Sequence, residues 1–189
     1  MTGGFRESGQ ASPFYVFVVA ILLFFALAYF AVGQAGALRN GAQSAADAAA
    51  LAAARESRDS FELTEENLGD LLTGALLSED AGCAAAGSFA AQNEANLTDC
   101  AVLDDGRWGS WVAVRSNDSM TGTVLPGVEG EQAVSSAVAI VTPRCTIASE
   151  GDGGSPLPEA LDCEDGELDL DPAELPQMSE LFDVRLAAE

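Results

Sequence analysis

Sorted into hydrophobic and polar positions, the chain falls into three regimes. The first is "PFYVFVVAILLFFALAYFAV", Pro13 to Val32, in which no side chain is charged. About twenty residues at 1.5 Å per helical residue match the roughly 30 Å hydrocarbon core of a bilayer, so a transmembrane helix is expected over residues 13–36. Ser12 and Pro13 suit its start: a Ser oxygen accepts a bond from a first-turn N–H, and the N–H that Pro lacks has no partner there. Tyr15 and Tyr29 fall near its two ends, where amphipathic rings favour the interface. A cleaved signal peptide is the alternative, with "GQAGA" supplying small residues. The apolar run exceeds the usual length of about 7 to 15, however, and its basic flank is a lone Arg6 beside Glu7.

The second regime, residues 37–58, contains "NGAQSAADAAALAAA". Alanine has the highest helix propensity, and nothing from Pro13 to Arg58 demands a break, so one helix of roughly 65–70 Å is expected. Gly33, Ala37, Gly41 and Ala45 recur every fourth residue, a small-residue stripe that lets another backbone approach closely. Ala46, Ala49 and Ala53 widen it. The plain alternative is that Ala serves here merely as a favourable helix former.

The third regime mixes both patterns. Residues 59–82 predict a short helix, with Thr64 three residues before Asn67 and with Leu68, Leu71, Leu72 and Leu76 at helical spacing. A second, Ala-rich helix is expected from Ala84 to about Asn93. Alternation predicts a strand in Trp108–Met120 and another in Glu131–Thr142, joined through the Gly and Pro of "TGTVLPGVEG". Two antiparallel strands on one or two helices make a small α+β unit over residues 59–149. Residues 150–189 are dominated by acidic side chains and predict a solvated, partly disordered tail, in which "SELFDVRLAA" suits a brief amphipathic helix.

Composition narrows the function. The 189 residues carry a formal charge of −22, with eight basic residues, all Arg, against thirty acidic ones. Such a chain holds one modest domain plus appendages, and its sign repels phosphates, which argues against nucleic acid as a ligand. There is no His, so no Ser-His or Cys-His pair can be built. There is no Lys for a phosphate-binding loop, and the acidic residues of the tail fail the EF-hand spacing. No catalytic residue, metal site or cofactor is assigned.

Cys83, Cys100, Cys145 and Cys163 form an even set without a CxxC pair. Disulfides in an oxidising compartment are expected over zinc or redox chemistry. Three pairings are open; the local one, Cys83 with Cys100 and Cys145 with Cys163, closes two short loops, each contributing about 3 kcal/mol by loop entropy. Oxidised cysteines put residues 1–12 in the cytoplasm as a leader and everything after about Gly36 outside. The positive-inside count is a near tie between Arg6 and Arg39.

From Gly9 to Arg55 the chain resembles the N-terminal segment of the TadE/TadG-like proteins of the Flp, or tight adherence, pilus-assembly system. In that family a short leader with Arg and Gly runs into a hydrophobic helix and then a "QxAADAAALAAA"-type block. Gln43, Ala45, Ala46, Asp47, Ala48, Ala49, Ala50 and Leu51 match that block. The resemblance covers roughly residues 6–56. It implies a membrane-anchored, minor pilin-like accessory subunit that packs against other pilus or secretion-system membrane subunits, or against its own copies. One departure bears on processing: prepilin-type members carry Gly before the cut and Glu at the fifth mature position, and counting from Gly9 that position is Phe14. The competing functions are a surface-displayed binding protein with the helix as a mere anchor, and a secreted domain released by signal cleavage.

Overall fold

The computed structural model describes residues 11–122, 127–149 and 157–187. Most of the expected leader, and the side chain of Ser12, lie outside these residues. The expected span and its continuation form one helix, α1 (Ala11–Asp59), of 49 residues, about 74 Å long. Its three glycines weaken it by up to about 1 kcal/mol each, and the alanines around them carry the helix through.

The other described residues form an α+β domain built around the far half of α1. Two short helices follow, α2 (Leu68–Thr73) and α3 (Cys83–Gln92). A four-stranded antiparallel sheet has the order β1 (Ala95–Val102), β2 (Gly109–Ser119), β3 (Gln132–Pro143), β7 (Phe182–Leu186). A smaller antiparallel sheet comprises β4 (Cys145–Ser149), β5 (Ala160–Cys163) and β6 (Gly166–Asp169), and one helical turn, α4 (Met178–Leu181), leads into β7.

Alternation along β2 turns Val112 and Val114 inward, both fully buried, while Arg115 faces solvent. β3 presents Ala137, Ala139 and Val141 to the same core. Against them lie Ala45, Ala49 and Ala53 and the adjoining row Ala46, Ala50 and Ala54, each with 0% exposure. Side chains this small let the helix lie close to both the sheet and α3. Gly82 carries that closeness to its limit: its φ is +62°, and a Cβ there would lie 2.9 Å from the Ala53 Cα and closer still to its carbonyl. Gly109 meets β3 in the same way, its missing Cβ falling 3.0 Å from the Ile140 Cα.

Larger side chains close the other end. Trp108 stacks edge-on with Phe61 at 5.8 Å and with Phe182 at 5.4 Å between ring centroids, and its indole N–H donates to Ser57 Oγ at 3.0 Å. Two disulfides join Cys83 to Cys100 and Cys145 to Cys163. The first ties α3 to β1, and the second links directly opposed residues of β4 and β5.

Three expectations differ from the structure. The helix expected within 59–82 shrinks to the six residues of α2, because Gly74 at φ +74° ends it by bonding back to Asp70 and Leu71 carbonyls. The folded unit has four main strands instead of two, with β1 added at one edge and β7 at the other. The acidic segment from residue 157 to 187, expected as a partly disordered tail, is built into the domain. Its sparse apolar residues do this: Leu157, Leu161, Met178, Leu181, Phe182 and Val184 are all buried. "FDVRL" alternates as a strand should and pairs with β3 from Ala139 to Pro143, so only one turn of the expected terminal helix forms.

Removing the Ser57 hydroxyl strands a buried indole N–H, which costs about 1–3 kcal/mol. Ser57→Ala should therefore lower the denaturation midpoint and alter Trp fluorescence in the folded state. In the same assay Gly82→Val, which combines left-handed φ with a clash against α1 backbone, should cost at least as much.

Candidate membrane-proximal surface

Among the described residues one helix is long and apolar enough to cross a membrane, with its most apolar window only 6% buried. Phe14, Tyr15, Leu22, Phe25 and Val32 are each more than 60% exposed, surface that water does not tolerate and a bilayer does. The folded domain begins within a few turns of Val32. Around Gln34–Ala42 the turn between α3 and β1 and the end of β2 come up against α1, enclosing a hollow of about 500 Å³.

The four residues of the small stripe do not share one environment. Steps of four residues advance about 40° each around a helix of 3.6 residues per turn, so Gly33 and Ala45 point about 120° apart. Gly33 and Ala37 are exposed and lie along a second, apolar hollow with Tyr29 and Phe30. Gly41 is exposed at the rim of the first hollow, and nothing lies within 4 Å of where its Cβ would be. Ala45 is fully buried inside the domain. The stripe thus starts on open surface and ends in the core.

The polar residues of the alanine block have local work. Gln43 Nε2 donates to Asp47 Oδ1 at 2.8 Å, one helical turn away, and approaches the Ser136 carbonyl of β3 at 3.5 Å. Arg58, at the end of α1, donates to the Phe182 carbonyl at 3.1 Å and fastens β7 to the helix. The four cysteines lie in the distal domain, away from this surface. Among the described residues no group of three or more acidic or Cys side chains is placed to hold a metal ion.

Periodicity did not single out Gln34, the first polar side chain beyond Tyr29 as the helix leaves the apolar run. Its Oε1 is buried without a hydrogen-bond partner. Nor did it mark Glu94, whose φ of +57° turns the chain sharply from α3 into β1 beside α1. A lone polar residue ending a long apolar run was a readable signal for the first; the second depends on tertiary packing.

Residues 9–56 match the family model of TadE/G-like Flp pilus-assembly proteins. The match ends three residues short of the end of α1, so it takes in the span, the exposed small residues and all of the buried alanine block. No curated protein and no solved structure gives a significant match to the chain.

The two ends of the stripe should respond in opposite ways to the same change. Gly41→Leu should leave thermal stability unchanged or raise it by up to about 1 kcal/mol through helix propensity. Ala45→Leu should lower it by about 1–3 kcal/mol through overpacking. Circular dichroism melts of both variants in detergent check the pair.

Proposed function

We propose that this chain is a membrane-anchored, minor pilin-like accessory subunit of a Flp/Tad-type pilus or secretion assembly. Its N-terminus is cytoplasmic and its domain extracytoplasmic, in a compartment oxidising enough to keep both disulfides. The role is structural and not enzymatic. Other membrane subunits, or further copies of the chain, pack against α1 along Gly33, Ala37 and Gly41, while Ala45 fixes the domain to the same helix from inside. The observation that carries this reading is that the family-matched segment, from Ala11 on, is one unbroken helix, apolar and exposed over its first half and core-forming over its second. Between these halves lie small residues with open space beside them.

Close packing of helices depends on backbones approaching without intervening side chains. A Leu at Gly33 or Ala37 would hold a neighbouring helix away, and both positions are exposed. The double variant Gly33→Leu/Ala37→Leu should therefore insert in the membrane and melt like the parent chain, yet lose most of its co-purification with secretion-system membrane subunits. Undiminished co-purification would sink the packing face. Exchange of residues 13–32 for an unrelated apolar span tests the rival in which the helix is an anchor alone, because that rival expects no loss.

A further inference from the structure

Two Asn-x-Ser/Thr triplets occur in the chain, Asn96-Leu97-Thr98 and Asn117-Asp118-Ser119, neither with Pro in the middle. This is the acceptor pattern for N-linked sugar. Folding brings the two together. They lie on the neighbouring strands β1 and β2, with both asparagines exposed on the opposite face of the sheet from the buried Ala95 and Ser116. Asn96 Nδ2 donates to Asn117 Oδ1.

The backbone sets them apart. Asn117 belongs to a strand paired on both sides, and its triplet is pinned. Its N–H donates to the Glu94 carbonyl at 2.8 Å, Ser116 Oγ donates to the Asp118 carbonyl at 2.8 Å, and Gln132 Nε2 donates to the Ser116 carbonyl at 2.8 Å. Asn96 belongs to an edge strand, with no strand on its other side among the described residues. The register of β1 shifts between Leu97 and Asp99, so Thr98, the third residue of the triplet, is left without a partner in the ladder. Its exposed hydroxyl is held by one bond, to the Ala113 carbonyl at 3.0 Å. An edge position and a bulge make this the triplet that a transferase can lift from the sheet.

Its place also suits a donor carried in the membrane. The turn leading into β1 lies against α1 around Gln34–Ala42, roughly 3 to 15 Å beyond Val32 along the helix axis. Asn96 therefore stands at the membrane-facing end of the domain. Across Arg115 from it is Val134, an apolar side chain 56% exposed on the same face, which a bulky, solubilising group at Asn96 would shield.

We propose that Asn96 is N-glycosylated outside the cytoplasm by an oligosaccharide carried on a polyprenyl diphosphate. The amide nitrogen attacks C1 of the first sugar, and the C1–N bond forms as the C1–O bond to the diphosphate breaks. The diphosphate leaves with the electron pair, and one amide proton passes to a base of the transferase. A carboxamide carries two N–H donors, so the one that remains can keep the bond to Asn117. With the two carboxamides in contact, a glycan on Asn96 excludes one on Asn117. The site rests on the extracytoplasmic placement of the domain and not on any pilus role.

The test is intact mass spectrometry of the full-length chain purified from the membranes of its host, before and after reduction, with fragmentation of the peptide containing Asn96. One oligosaccharide per chain is expected, attached to Asn96. It should be lost in Asn96→Gln and in Thr98→Ala, which keeps the asparagine but removes the hydroxyl, and kept in Thr98→Ser and in Asn117→Gln. A parent chain without added sugar overturns the proposal, as does an oligosaccharide that survives Asn96→Gln or Thr98→Ala. Reduction then shows what else falls. If the sugar-free chain gains four hydrogens, two for each disulfide, the extracytoplasmic placement stands without the glycan; if it gains none, that placement falls with it.

Discussion

Close approach of backbones, made possible by methyl-sized side chains, is the constraint on which this structure rests. The rows Ala45–Ala49–Ala53 and Ala46–Ala50–Ala54 are fully buried, and what faces them includes Ala86 and Ala90 of α3 and Ala137 and Ala139 of β3. Each alanine buries little area, so no single contact is large; the gain comes from many contacts at short range with almost no side-chain entropy lost. The arrangement tolerates no excess volume, which is why glycine stands at Gly82 and Gly109, where two backbones nearly touch. What the alanines cannot supply comes from elsewhere: the Phe61, Trp108 and Phe182 cluster and the two disulfides close the distal end.

One consequence is mechanical. The same helix that has the length and apolarity of a membrane span is also the central element of the core, with no loop between the two roles. A domain hung on a flexible linker would sample many heights and tilts. Here any rotation or tilt of the span is carried into the sheet that packs on it, and the domain is held at a fixed axial distance from Val32. The alanine block is thus matched to its place twice, by helix propensity and by the need for a thin central helix.

Much of this was legible in the sequence, for identifiable reasons. The span and its continuation follow from an uncharged run joined to the best helix former. Strands β2 and β3 follow from alternation such as Val112 and Val114 against Arg115. The local pairing of the cysteines, one of three open from sequence, is the one found. The stripe was visible as a spacing, but its drift of about 120° around the helix decides which members stay exposed, and that required knowing where the domain sits. The C-terminal strand was hidden because the acidic residues around it dominate any average over a window, although Phe182, Val184 and Leu186 alternate plainly with Asp183 and Arg185. Strand β1, "ANLTDCAV", has a weak pattern because it is an edge strand exposed over most of its length, and it is held by its neighbour β2 and by Cys100.

Charge then bears on where neighbours could meet. The chain carries a net −22, and most of its acidic residues lie in the domain and the segments leading into β7. Copies or acidic partners brought side by side through their domains repel within a Debye length of about 8 Å at physiological ionic strength. From Pro13 to Leu38 there is no charged residue at all. Contact at the level of the helix therefore escapes the repulsion that contact between domains incurs, and it does so where Gly33, Ala37 and Gly41 leave the least side-chain bulk. Between two neighbouring copies, a surface that is self-repelling above and smooth below disfavours contact between domains relative to contact along the uncharged part of the helix.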